Sequence, residues 1–177
     1  MANILITGAN GQLGSELRKI GFSPLDEVFF TDVAELDITD YTAIEKFIQV
    51  HEVDTIINCA AYTAVDAAED NQELCRKINV DGTRNIAEVC RSLDIPLMYF
   101  STDYIFNGRG ENFWNEDDEK QPLNVYGQTK YEGELAVQEL VEKNFILRIS
   151  WVFGKNGNNF IKTMLRLGKE RGAVSVV

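Results

Sequence analysis

Ile4-Leu5-Ile6-Thr7-Gly8-Ala9-Asn10-Gly11-Gln12-Leu13-Gly14 is the stretch that decides the fold. Ile4 to Thr7 is a short apolar run of strand type, Gly8 to Gly14 is a turn of small residues, and Ser15 to Ile20 starts a helix. A glycine at a strand end allows a tight turn, a second lets the backbone approach a bound pyrophosphate, and a third lets the helix pack close to the sheet. The helix N-terminus then presents free N–H groups and the positive end of its dipole to an anion. The spacing is GxxGxxG rather than GxGxxG, so the strand before and the helix after carry the reading as much as the glycines do. Gly8, Asn10, Gly11, Gln12, Leu13 and Gly14 are therefore the candidate cradle for a dinucleotide.

Outward from that turn, short apolar strands alternate with helical stretches. Val28–Thr31 and Thr55–Cys59 read as strands, as do Leu97–Ser101, entered from Pro96, and Phe145–Ser150. Thr39 or Asp40 caps a helix whose apolar face holds Ile44, Phe47 and Ile48. Leu74, Ile78, Ile86 and Val89 fall at helical spacing between Glu69 and Cys90, and Lys130–Val141 and Asn159–Leu167 are also helical. Asn107–Pro122 is polar and Gly/Asn-rich, hence a long loop. This alternation predicts an α/β fold of the Rossmann type, a doubly wound parallel sheet covered on both faces. Residues 1–150 form the NAD(P)-binding domain with the catalytic residues, and 151–177 begin a small C-terminal substrate domain that is largely missing. Ala173-Val174-Ser175-Val176-Val177 reads as a strand just beginning, as in a cut chain.

Hydrophobic types make up 45% of the 177 residues, enough for one buried core. The formal charge of −11 argues against nucleic acid and anionic membrane as partners. Met1-Ala2-Asn3 runs straight into the first strand without a signal peptide, and no apolar run is long enough to span a membrane, so a cytoplasmic location is expected. Cys59, Cys75 and Cys90 include no CxxC pair and read as buried or half-buried thiols. His51, the only histidine, reads as a surface or helix-end residue, and Glu116–Glu119 as a solvated loop face. Trp114 either covers the substrate site or packs the loop down.

Asp32 ends the second strand, where a carboxylate can accept from the ribose hydroxyls of an adenosine or simply face solvent in a turn. No Lys or Arg follows closely to neutralise a 2′-phosphate, so the cofactor is NADH or NADPH with a lean to NADH. Asn58-Cys59-Ala60-Ala61 ends the third strand with small residues, against which a flat nucleotide can lie or two helices cross. Ser101-Thr102-Asp103 ends the next strand, and Tyr126-Gly127-Gln128-Thr129-Lys130 opens a helix with Tyr126 and Lys130 on one face. Carbonyl reduction needs a hydride on one side and a proton for the developing alkoxide on the other. A tyrosine has an unperturbed pKa of about 10. Lys130, together with the positive nicotinamide of an oxidised cofactor, would favour the phenolate and lower that value. The Thr102 hydroxyl would hold the substrate oxygen at bonding distance.

These residues carry a resemblance that covers essentially the whole chain. Gly8–Gly14, Leu36-Asp37-Ile38-Thr39-Asp40, Asn58–Asp66, Ser101–Phe106, Asn124–Lys130 and Ser150-Trp151-Val152-Phe153-Gly154 resemble the dTDP-4-dehydrorhamnose reductase family. That family belongs to the extended short-chain dehydrogenases that act on nucleotide sugars. The resemblance implies reduction of the 4-keto group of dTDP-4-dehydro-L-rhamnose. Tyr126 takes the place of the catalytic acid, Lys130 of its partner and Thr102 of the carbonyl-orienting hydroxyl. It places Asp37, Ile38, Cys59, Ala60, Ala61, Tyr62 and Asn79 with the cofactor set, and Asp103, Tyr104 and Trp151 in the sugar pocket beside Thr102 and Tyr126. It also implies a possible homodimer. Some members hold Mg²⁺ at a dimer contact, where Glu16 could match one ligand, but no metal site is assigned.

Other readings stay open. A 4,6-dehydratase needs an acidic pair after the threonine, and Tyr104 follows Asp103 here. A nucleotide-sugar 4-epimerase keeps the Tyr/Lys pair. A non-catalytic NAD(P)-binding regulatory subunit, like that of methionine adenosyltransferase, would not require Thr102, Tyr126 and Lys130 together.

Overall fold

Leu5 and Ile6 of the first strand are 1% and 0% exposed, and the rest of the sheet is assembled around them. A computed structural model describes residues 1–109 and 113–175. Five strands, β1 (Asn3–Thr7), β2 (Glu27–Phe30), β3 (Thr55–Asn58), β4 (Leu97–Thr102) and β5 (Asn144–Ile149), pair in parallel in the order β2-β1-β3-β4-β5. The helices are α1 (Gln12–Ile20), α2 (Tyr41–Val50), α3 (Val65–Asp70), α4 (Gln72–Arg76), α5 (Thr83–Leu93), α6 (Val125–Leu140) and α7 (Phe160–Arg171). The chain runs from β1 to β2 in one direction and from β2 across to β5 in the other. Right-handed crossovers therefore put α1 on one face and α2, α5 and α6 on the opposite one. The main core lies on the second face, where Leu5, Ile56, Leu97 and Tyr99 of the sheet meet Ile44, Ile48, Ile86, Val89 and Val137 of the helices. This is the expected doubly wound sheet.

Local chemistry sets the boundaries. Asp40 is the cap of α2, its carboxylate accepting from Ala43 N at 3.0 Å. Asp40→Ala should cost about 1 kcal/mol, read as a lower denaturant midpoint at unchanged slope. His51 closes the same helix with its ring against Phe47 and Phe29, at centroid distances of 4.3 and 4.6 Å. Cys75 and Cys90 are buried and Cys59 half-buried, all as free thiols.

Three expectations are corrected. Helix α1 begins at Gln12 rather than Ser15, so Gly14 is helical and the turn ends at Gly11. The helical stretch between Glu69 and Cys90 is interrupted at Asn71 and again by a wide π-helical turn over Lys77–Gly82. The wide turn shifts the buried face, so Asn79 and Val80 point inward while Leu74 stands 49% exposed. Ala173–Ser175 form no strand; Val176 and Val177 lie outside the described residues, as do Gly110–Asn112 of the long loop.

Candidate active site

The strand order reverses between β1 and β3, and the carboxyl ends of those strands open into a cavity of about 970 Å³. Parallel α/β sheets bind ligands at such a crevice. Gly8 leaves β1 with φ +62°, and a Cβ there would stand 2.6 Å from the Cα and N of Ala60. Only hydrogen fits, so the turn after β1 lies directly against the segment after β3. Asn10, Gly11, Gln12 and Leu13 line the cavity beside Gly8. Among the described residues no side chain caps α1, and no acidic residue occupies its first turn, which leaves its dipole free for an anion. Gly14 has a different task. Its Cβ would meet Ala9 Cα at 2.5 Å, so it brings the helix onto the turn and does not line the cavity.

Asp32, Asp37 and Ile38 form one end of the cavity, joined by Val33, Leu36 and Thr39. Asp32 is held by backbone N–H groups, its Oδ2 accepting from Asn10 and its Oδ1 from Val33, each at 2.9 Å. This fixes a carboxylate beside the glycine turn with lone pairs still open to the cavity. Cys59, Ala60 and Ala61 form the floor.

Tyr62 and Asn79, expected in the cofactor set, stand behind the lining. Asn79, 1% exposed, accepts from Tyr62 N at 2.8 Å and donates to Tyr62 O at 3.2 Å and to Thr129 Oγ1 at 3.1 Å. Its amide is taken up in joining the segment after β3 to α6.

The other end of the cavity is lined by Thr102, which ends β4, and Asp103, which follows it, and by Tyr104, Tyr126, Lys130 and Trp151. Asn124 caps α6 by accepting from Gly127 N at 2.7 Å, and Glu69 accepts from Val125 N at 2.9 Å, so the turn that carries Tyr126 is anchored from both sides. The Tyr126 ring meets Tyr104 edge-on at 5.7 Å. Lys130 is 3% exposed, with Nζ 4.1 Å from the centre of the Tyr99 ring. Burial pulls the Lys130 ammonium down to about 7, and the carboxylate of Glu134 opposes this.

Burial also pushes the Tyr126 phenol above its ordinary value; the neighbouring Thr102 hydroxyl works against this and Asp103 adds to it. Desolvation of the phenol is the largest influence on it.

Trp151 carries φ +52°, a strained conformation for a bulky side chain, and packs edge-on against Phe160 at 5.3 Å. Trp114 does not line the cavity. It stacks on Phe106 at 4.7 Å, so it packs the loop down. Sequence reading missed Thr63, Ile78, Ser101 and Phe160 as cavity residues. Thr63 and Ser101 lay inside quoted motifs, whereas the spacing marked Ile78 only as part of an apolar helix face and did not mark Phe160. Among the described residues no three His, Cys, Asp or Glu side chains are grouped to hold a metal. The Glu16 carboxylate pairs with Lys19 at 2.6 Å.

The parallel sheet, the glycine turn at its switch point and the Tyr126/Lys130 helix together define an α/β domain of the short-chain dehydrogenase type. The chain belongs to the dTDP-4-dehydrorhamnose reductase family. The family model described as the RmlD substrate binding domain matches residues 1–177. The dTDP-4-dehydrorhamnose reductase of Aggregatibacter actinomycetemcomitans is 44% identical over 100% of this chain and 60% of its own length. A solved reductase of that name from Bacillus anthracis, in complex with NADP, superposes with a TM-score of 0.91 at 44% identity, covering 97% of this chain and 61% of that one. Its counterpart from Clostridium acetobutylicum gives 0.90 at 46% identity, covering 95% and 60%. The 177 residues thus span about 60% of the length of the curated relatives they match. Among the described residues no helix is long and apolar enough to cross a membrane.

Proposed function

We propose that this chain carries the cofactor-binding and catalytic part of an NAD(P)H-dependent reductase that converts the 4-keto group of dTDP-4-dehydro-L-rhamnose to the alcohol of dTDP-L-rhamnose. The observation that carries the reading is the convergence of Thr102, Tyr126 and Lys130 on the cavity that the glycine turn also lines. A bound reduced nicotinamide supplies the hydride. Gly8, Gly11 and the start of α1 hold the pyrophosphate, and Cys59, Ala60 and Ala61 provide a flat floor. Thr102 orients the substrate carbonyl and Tyr126 gives its phenolic proton to the developing alkoxide. The raised pKa of Tyr126 suits this direction, since the residue reaches the substrate protonated. Lys130, in its charged form, then stabilises the phenolate left behind. Asp103, Tyr104 and Trp151 face the sugar.

The test follows loss of reduced-nicotinamide absorbance with dTDP-4-dehydro-L-rhamnose in the full-length protein. Absence of turnover with either cofactor, from folded protein that still binds one, rejects the reading.

The preferred cofactor is NADH. Asp32 puts a fixed negative charge at the adenosine end, and Lys130, at the far end, is the one Lys or Arg among the described residues lining the cavity. A 2′-phosphate would meet repulsion with no cation to offset it. Asp32→Ser should raise the KM for NADH several-fold and lower that for NADPH; a wild-type preference for NADPH would overturn this assignment. A homodimer is part of the same proposal, with sedimentation of the full-length protein as its check.

A further inference from the structure

Glu134 is wholly buried yet ionisable, and the reaction outlined above leaves it without a task. It lies on α6 one turn beyond Lys130, which itself lies one turn beyond Tyr126, so the three form a single stripe along the helix. A carboxylate in that position must be paired to remain charged. Arg148 of β5 supplies the pair through two of its three guanidinium nitrogens, Nε donating to Oε2 at 3.2 Å and Nη2 to Oε1. The remaining arm, Nη1, donates to the backbone carbonyl of Glu116 at 2.8 Å. The guanidinium also stands 5.5 Å from the Phe106 ring, on which Trp114 is stacked. Neither Glu134 nor Arg148 lines the cavity. Their pairing sits behind the catalytic helix and fastens the loop carrying Trp114 and Glu116.

We propose that Glu134 is a positioning residue that keeps Lys130 in its cationic form, and that Arg148 keeps Glu134 an anion while linking it to the 113–122 loop. The proposal rests on the reductase reading for its consequence in turnover, though not for the electrostatics. The groups that face Lys130 are Glu134 from α6, the Tyr99 ring from β4, Cys59 after β3 and Cys75 from α4. Glu134 is the one carboxylate in that set. The Cys59 thiol is pushed up to about 12 by burial and brings no charge near neutrality. Lys130 is thus a buried ammonium with one anion facing it, a helical turn further along α6.

Arg148 gives the proposal a distinctive sign. Removing a cation near Lys130 would, by direct Coulomb repulsion alone, make the ammonium easier to keep. If Glu134 is the relay, the opposite holds. An unpaired buried Glu134 takes up a proton, and Lys130 loses its anion. Glu134→Gln and Arg148→Gln should therefore move Lys130 in the same direction.

The decisive measurement is the pH titration of the Lys130 Cε resonance in lysine-labelled full-length protein, assigned by its absence in Lys130→Met. The Lys130 midpoint should fall by about one pH unit in Glu134→Gln, and should fall also in Arg148→Gln. The alkaline limb of the kcat profile should move down by the same amount, with KM for the sugar nearly unchanged. A clamp with only a structural role would lower thermal stability and leave the midpoint where it is. Failure of the reductase reading would appear as no turnover in any variant while the midpoint still shifts. An unchanged midpoint in folded Glu134→Gln overturns the proposal, and a raised midpoint in Arg148→Gln overturns the part assigned to Arg148.

Discussion

Tyr126→Phe in the full-length protein should reduce turnover by about 10²- to 10⁴-fold, the usual contribution of a positioned proton donor. Cofactor affinity and melting temperature should barely change. The substitution removes one hydroxyl and keeps the ring, whose edge-on contact with Tyr104 at 5.7 Å is an interaction between ring surfaces. What is lost is a proton held within a buried site beside Thr102. Burial raises the phenol pKa, so the neutral form is dominant throughout the neutral range and wild-type activity should not fall on the acid side through Tyr126. Any alkaline fall should instead follow Lys130, which burial brings down to about 7. Loss of its charge as pH rises removes the stabilisation of the phenolate formed in the reaction. The paired measurement is kcat against pH in the wild type and Tyr126→Phe, together with cofactor titration by fluorescence. A variant retaining more than a tenth of wild-type turnover would remove Tyr126 from the proton step.

Local spacing made most of this site legible before the fold was known. The glycine turn follows directly from its strand, and Tyr126 and Lys130 are fixed by one helical turn, so short-range rules place them. Thr102 was legible because it ends a strand, and parallel strands deliver their carboxyl ends to one crevice. Asn79 lay in the cofactor set by resemblance, but its amide bonds Tyr62 and Thr129, partners distant in sequence that no periodicity reveals. The wide turn that aims it inward is invisible for the same reason, since apolar spacing on either side remains helical. The burial of the Tyr126 phenol was not legible, because a charge one turn away can be counted in a sequence, whereas desolvation depends on what the entire fold packs around the ring. Arg148 and Glu134 belong to elements whose sequence gives no hint that they meet.

Gly8→Val should produce the largest loss of stability and of cofactor affinity among single substitutions at the glycine turn. Two costs add. At φ +62° any side chain pays a left-handed backbone penalty of about 1–2 kcal/mol. The new Cβ also falls 2.6 Å from the Ala60 backbone, and forcing apart two chain segments costs about 1–3 kcal/mol more. Together, about 2–5 kcal/mol would be taken from a domain whose whole stability is of order 5–15 kcal/mol. In a domain of this size, that corresponds to a fall in Tm of about 4–20 °C. Gly172→Ala separates the terms, because Gly172 has φ +75° at the end of α7 with nothing among the described residues within 4 Å of its Cβ position. It should show the backbone term alone and leave cofactor binding intact. Gly8→Val should in addition weaken the cofactor by more than tenfold, since widening the gap between the β1 turn and the Cys59–Ala61 floor displaces both walls of the cavity at once. Thermal melts of both variants with and without dinucleotide make the comparison. If Gly8→Val melts no lower than Gly172→Ala and is still stabilised by the cofactor as the wild type is, the close approach of Gly8 to Ala60 does not build the cradle, and the pyrophosphate must be sought elsewhere along the cavity.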